Sequence, residues 1–246
     1  MIGNLNKDYN FSIIVNKQNI KDVYNLVASN FKSVKIEFKT SEGAEYNVDN
    51  IDDILGYSNP KSRRIIVIRF EGDLREHASF LSPNISIVLS DTSTYYSSIS
   101  LSIKNMEEKD IVYYTREIEE FSNSIKAPYW WLHKSWFYTI TGFALYLLCA
   151  VLYFTCGNTA VSDDKAYNIL ILQGISALCM VISMYGVKKI VSVLFPECSF
   201  CIGEQENYIL RQSKLRKFIF GTIIGTIVLG VLSSIIAYFI TSSIGI

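Results

Sequence analysis

The sequence is poor in the residues that usually build catalytic and disulfide sites. Its 246 residues include only two histidines and five cysteines, and 23 basic side chains balance 23 acidic ones. No cysteine lies within the first 126 residues, which excludes a disulfide framework there. Those residues carry 15 basic and 18 acidic side chains, whereas nucleic-acid-binding domains are usually basic. We therefore expect no nucleic-acid partner.

Short motifs that mark common catalytic and cofactor sites are also missing. The sequence contains no glycine-rich phosphate loop, no Gly-x-Ser-x-Gly and no His-Glu-x-x-His. His77 lies in a polar stretch beside Arg75 and Glu76, and His133 lies among aromatic residues, so neither has an obvious catalytic partner. The sequence therefore predicts a non-enzymatic protein with no catalytic residue, no metal site and no cofactor.

Charged residues are absent from three long stretches in the second half. These stretches cover residues 136–156, 167–187 and 218–240, about 20 residues each. A helix rises about 1.5 Å per residue, so each stretch is long enough to cross a hydrocarbon layer about 30 Å thick. The sequence predicts an all-α membrane domain of three transmembrane helices over residues 136–246, with a basic cytosolic loop at 188–217.

The distribution of basic residues predicts how these spans are oriented. Lysines and arginines lie before the first span and in the 188–217 loop, whereas the loop between the first two spans carries Asp163, Asp164 and a single lysine. The rule that basic loops face the cytosol then predicts a multi-pass protein of the plasma or inner membrane. Its N-terminus would be cytosolic, because the polar first ten residues do not resemble a signal peptide, and its C-terminus would be outside.

A short aromatic segment, residues 127–135, is predicted to lie at the membrane surface. It brings tryptophans next to Pro128, His133 and Lys134, and indole rings favour the headgroup region. An aromatic ligand cage is the less favoured interpretation of the same residues. The predicted membrane-interface residues are Trp130, Trp131, Trp136, Lys188, Lys189, Arg211, Lys214, Arg216 and Lys217.

The first 126 residues read as an α+β cytosolic domain, an antiparallel sheet with helices on one face. Apolar and polar residues alternate in 33–39 and in 99–103, as in strands with one buried face. Residues 107–125 place apolar side chains at alternating steps of 3 and 4, which predicts a helix with one apolar seam. That seam packs either on its own sheet, the favoured interpretation, or in an oligomeric coiled coil.

Cys198 and Cys201 form the only Cys-x-x-Cys motif of the chain. Such a pair can bind zinc or cycle between dithiol and disulfide. Zinc needs four ligands, and the predicted cytosolic side offers neither a second pair nor a nearby histidine. We interpret them as ordinary reduced cysteines in a loop, and a site completed between two subunits remains the alternative.

The third predicted span carries a stripe of small residues on one helix face. Small side chains let helices approach closely, which favours association. The predicted helix-packing residues are Gly221, Gly225, Gly230, Ser233 and Ala237. A homo-oligomer is therefore expected.

These features predict a membrane protein whose cytosolic domain binds a partner or signal. The helices would anchor the protein and self-associate, in one version as a membrane-perturbing effector. The expected partners are the lipid bilayer, further copies of the chain and an unknown cytosolic protein or ligand. The alternatives are an oligomeric channel or transporter subunit and, less favoured, a membrane-surface enzyme.

Overall fold

The computed structural model describes residues 1–74, 82–91, 97–156, 181, 185–226, 229–230 and 233. Its main feature is a six-stranded antiparallel sheet with the strand order β1-β7-β6-β5-β3-β4. The strands of this sheet are β1 (Ile2–Tyr9), β3 (Ser33–Thr40), β4 (Glu45–Val48), β5 (Ile65–Asp73), β6 (Asn84–Ser90) and β7 (Ile99–Glu107). The predicted antiparallel sheet of the first half is thus confirmed.

Three helices accompany the sheet: α1 (Lys17–Ala28), α2 (Ile51–Gly56) and α3 (Glu108–Ser124). α1 begins with a reciprocal capping box, in which the Asn16 and Asn19 side chains each accept a hydrogen bond from the other's backbone N–H. The α1 side of the sheet is closely packed, because a Cβ added at Gly72 would lie 2.6 Å from the Val27 side chain. The rings of Phe31 and Tyr114 connect α1 to α3, with centroids 5.8 Å apart.

The apolar seam of α3 packs on its own domain. Tyr114 and Ile118 are buried in the same core as Leu101 and Ile103 of β7. Ser102 lies between these two β7 residues and points to the partly exposed face of the sheet. This packing supports the interpretation of the seam as an intradomain contact.

The second half of the chain contributes one strand that pairs with a strand of the first half. β2 (Ile13–Asn16) pairs in parallel with β8 (Cys198–Cys201), with Val15 opposite Phe200. Cys198, Phe200 and Ile202 are buried in the core of the first half. The Cys-x-x-Cys motif therefore lies on a core strand rather than in the predicted surface loop.

The remaining described elements are helical. A 3₁₀ turn (Trp130–His133) leads into α4 (Ser135–Cys156). Residues 185–194 form α5, and α6 (Glu204–Phe218) is followed by a π-helical stretch, Ile219–Ile224. A second apolar cluster joins the 3₁₀ turn to α5 through Tyr129, Leu132, Val191 and Phe195.

The prediction of an all-α membrane domain is wrong. Among the described residues, no helix combines the length and the apolar character that a membrane crossing requires. The prediction took the stretches at 136–156, 167–187 and 218–240 to be apolar as well as free of charge, as a span requires. In the described part of the chain, serine, threonine and tyrosine interrupt the apolar residues in the first turns of α4.

The predicted location and orientation depended on the spans and are therefore wrong as well. The multi-pass location in the plasma or inner membrane, with a cytosolic N-terminus and an outer C-terminus, rested on those three helices. Most of the stretch predicted at 167–187 lies outside the described residues, as does much of 218–240. Within the described ranges, the basic loop 188–217 therefore borders no span whose orientation it could set.

Candidate functional site

The two halves of the chain meet at a junction whose centre is Asn59. This residue is fully buried and has a positive φ of 46°. Its amide nitrogen donates to the carbonyl oxygens of Phe200 at 3.2 Å and Ile202 at 3.4 Å, and its side-chain oxygen accepts from the Ile65 N–H at 2.7 Å. One asparagine side chain thus connects β5 of the sheet to β8 and to the residue that follows it.

Gly203 allows the chain to pass close to that asparagine. Its φ is +55°, and a Cβ at this position would lie 2.2 Å from the Ser58 carbonyl oxygen. The same carbonyl accepts a hydrogen bond from the Glu204 N–H at 2.8 Å, at the start of α6. Only glycine combines this conformation with this proximity.

The C-terminal end of α5 is held by side chains from α6. Gln212 donates to the Val193 carbonyl at 3.2 Å, and Arg216 donates from Nε to the Leu194 carbonyl at 2.6 Å. Arg216 also donates to the Gln212 side-chain oxygen at 2.8 Å. The last carbonyls of a helix lack intrahelical partners and carry partial negative charge, so a cation and an amide stabilise them.

The next two carbonyls are held from the opposite side, by the 127–134 segment. The Tyr129 hydroxyl donates to the Pro196 carbonyl at 3.3 Å, and His133 Nε2 contacts the Phe195 carbonyl. Four consecutive carbonyls are therefore contacted by four side chains from two elements. We call this set the carbonyl clamp: Tyr129, His133, Gln212 and Arg216.

Arg216 was predicted to lie at a membrane surface, but it is buried. Its guanidinium carbon lies 4.7 Å from the centre of the Tyr129 ring and 5.5 Å from that of Phe195, so both rings make cation–π contacts with it. Burial raises the pKa of Tyr129 to about 12, although the nearby guanidinium opposes this shift. Tyr129 is thus a neutral hydrogen-bond donor over the physiological pH range.

A cleft of about 250 Å³ lies beside the clamp, between the sheet and helices α5 and α6. Arg64 and Asp91 form an ion pair in its wall, with Nη2 and Oδ2 3.2 Å apart. Gln212 belongs to both the cleft and the clamp. The polar residues that line the cleft are Asn59, Arg64, Asp91, Ser192, Ser199, Gln205, Tyr208 and Gln212.

The two cysteines of the motif are poor nucleophiles in this setting. Burial raises the pKa of the Cys198 thiol well above its usual value, and that of Cys201 to about 11. The thiolate is the reactive form, so both side chains stay protonated near neutral pH. Among the described residues, no group of three or more potential ligands could hold a metal ion.

Of the other predicted interface residues, Trp131 and Trp136 contact each other. The indole of Trp130 lies between two ammonium groups, 3.8 Å from Lys126 Nζ and 5.6 Å from Lys134 Nζ, and Trp131 stacks on Trp136. The exposed basic residues are Lys188 and Lys189 on α5, and Arg211, Lys214 and Lys217 on α6. Residues 127–135 therefore pack in the junction and also form part of the surface.

The structure describes part of the predicted small-residue face and shows open space beside its glycines. A methyl group added at Gly221, Gly225 or Gly230 would meet no described atom within 4 Å. Ser233 donates to the Leu229 carbonyl of its own helix, and Ala237 lies outside the described residues. Association through this face stays a prediction.

The sequence did not predict the clamp or the cleft. Gln212 and Arg216 are four residues apart on one helix, which is a visible signal that they share a face. Their hydrogen-bond acceptors are the backbone carbonyls of residues 193 and 194, which the side-chain sequence does not reveal. In comparisons with known proteins, no family model matches the chain, and neither the search of curated proteins nor the search of solved structures returned a match.

Proposed function

We propose that this protein is a non-enzymatic binding protein. The junction cleft receives a small polar ligand or a side chain of a protein partner, and the helices that follow residue 134 respond by changing how copies of the chain associate. The observation that carries this proposal is the position of Gln212. An occupant of the cleft contacts a residue that also holds the end of α5.

The lining of the cleft indicates the chemistry of the occupant. Arg64 and Asp91 contribute one charge of each sign, and hydroxyl and amide groups surround them. Such a wall has no net charge to select a strongly anionic or cationic ligand, whereas it offers partners to both ends of a zwitterion. The raised pKa values of Cys198 and Cys201 support binding rather than nucleophilic chemistry at this place.

Self-association is the proposed output. Trp136, Ile140 and Phe143 lie at steps of 4 and 3 on α4, so they share one helix face, and each is more than half exposed. An exposed apolar face of this kind is typical of a protein–protein contact. A second copy of the chain is its proposed partner.

Thermal unfolding of the full chain tests the proposal. The probes are the twenty amino acids and a set of nucleosides, which are zwitterionic or neutral and small enough for the cleft. A ligand at a hundred times its Kd is expected to raise Tm by about 5–10 °C. Light scattering on the same samples should show a changed molecular mass.

Arg64→Gln is expected to abolish the thermal shift, because it removes the cation of the cleft wall. Arg63→Gln is the matched control, since Arg63 is exposed and does not line the cleft. If no probe stabilises the wild-type chain, or if a probe stabilises the Arg64→Gln variant equally, the cleft is not the binding site.

A further inference from the structure

His133 has acceptor oxygens on both sides of its ring. Nε2 contacts the Phe195 carbonyl oxygen, and Nδ1 lies 3.2 Å from the Glu197 carboxylate oxygen Oε1. The side chain is 10% exposed, so water replaces neither contact easily. A neutral imidazole has a single N–H and satisfies only one of these acceptors, whereas an imidazolium donates to both.

We propose that His133 is a protonation-dependent latch between the 3₁₀ turn and the 195–197 loop. The latch is closed when the imidazole is protonated, because both nitrogens then donate. In the neutral ring the second nitrogen presents a lone pair to an oxygen, so one of the two contacts is lost. The latch therefore weakens when the ring loses its proton.

Several charged and titratable groups lie around the ring. Glu197 and the Phe195 carbonyl contact it, and the Arg216 guanidinium binds the adjacent Leu194 carbonyl. Tyr129 is kept neutral by its raised pKa, and burial also raises the pKa of Tyr138, the α4 group that faces Glu197. Lys134 is directed elsewhere, to the Asn10 carbonyl and the Trp130 ring.

Glu197 extends the latch to the strand pair. Its carbonyl oxygen accepts a hydrogen bond from the Ile13 N–H at 2.8 Å, and β8 begins at the next residue. A change at the Glu197 side chain is thus one residue away from the parallel pairing of β2 with β8. This pH dependence stands on the ring contacts alone and does not depend on whether the cleft binds a ligand.

Nuclear magnetic resonance of ¹⁵N-labelled imidazoles in the full chain tests the latch. The sequence has only His77 and His133, so the His77→Gln variant leaves one ring to observe. Between pH 5 and 8.5, tryptophan fluorescence should change with the same midpoint as the His133 ring signals, since Trp130 and Trp131 flank the latch. If His133 titrates while the fluorescence does not change, the proposal is overturned.

Glu197→Gln provides the second readout. A glutamine side chain can accept from or donate to Nδ1, so both protonation states keep this contact and the fluorescence change between pH 5 and 8.5 should be at least halved. Glu206→Gln is the control, because Glu206 is an exposed acidic residue on α6 and makes no contact with the ring. An undiminished fluorescence change in Glu197→Gln, or an equal reduction in Glu206→Gln, would rule out the latch.

Discussion

At the scale of single residues, Asn59 and Gly203 determine how closely the two halves of the chain approach. Both have positive φ, and each lies where a larger or apolar side chain would break a buried contact. A buried amide group that loses its partners costs about 1–3 kcal/mol. Their backbone conformations and hydrogen bonds thus make the junction specific.

Gly203→Ala is expected to lower the free energy of unfolding by at least about 2 kcal/mol, since it combines a disfavoured backbone conformation with a steric conflict. The added Cβ would lie 2.2 Å from the Ser58 carbonyl oxygen, so the Asn59 contacts must shift to accommodate it. Denaturant unfolding of the full chain, followed by circular dichroism, measures this difference.

Gly56→Ala is the matched control for that substitution. Nothing lies within 4 Å of the new Cβ at Gly56, and this residue ends α2 without a positive φ. Its effect should stay within about 1 kcal/mol, on the side of higher stability. Equal effects of the two substitutions would show that Gly203 makes no special contact.

The sequence reveals part of this residue-scale picture. Asn59 followed by Pro60 is a turn signal, and the structure places a turn-like segment before β5. The pattern does not show that the Asn59 side chain reaches residues about 140 positions later. Such a contact depends on the fold of both halves, and local periodicity contains no record of it.

At the scale of elements, α6 shows how charge alone misplaces a side chain. Arg211, Lys214 and Lys217 are exposed, as expected of surface residues, but Arg216 is buried with Gln212 against the end of α5. All four basic residues were predicted to lie at the membrane interface. Burial of the fourth follows from the neighbouring helix end, whose carbonyls require donors.

Arg216→Lys should destabilise the full chain by about 1–3 kcal/mol. A lysine keeps the charge but has one ammonium group, which cannot reproduce the two directed contacts to the Leu194 carbonyl and to Gln212. Thermal unfolding detects the loss. Arg211→Lys on the exposed side of the same helix should change stability by no more than about 0.5 kcal/mol, and a similar loss there would contradict the clamp.

Periodicity was a sound guide to the strands and helices of the first half. The alternation at 99–103 and the seam of α3 both proved to mark buried faces of one core. The spans were predicted from length, apolar character and lack of charge rather than from periodicity, and no helix among the described residues is long and apolar enough to cross a membrane. Local composition also gave no sign that residues 198–201 form a strand.

At the scale of the whole molecule, the parallel pair of β2 and β8 makes one folded unit from distant parts of the chain. The pairing joins residues 13–16 to residues 198–201, and the N–H of Ile14 in β2 also donates to the Ile125 carbonyl at 3.0 Å. The core of the first half is therefore completed by residues from the second half. This strand pair therefore links structural changes in α5 and α6 to the sheet.

Residue-resolved amide hydrogen exchange on the full chain tests that connection most directly. Amides in the β2–β8 pair should exchange as slowly as those of the central strands β5 and β6, because they open only when the whole core opens. In Gly203→Ala, both β2 and β8 should lose protection together while β5 and β6 keep most of theirs. Fast exchange of the β8 amides in the wild-type chain, beside a protected six-stranded sheet, would contradict the account.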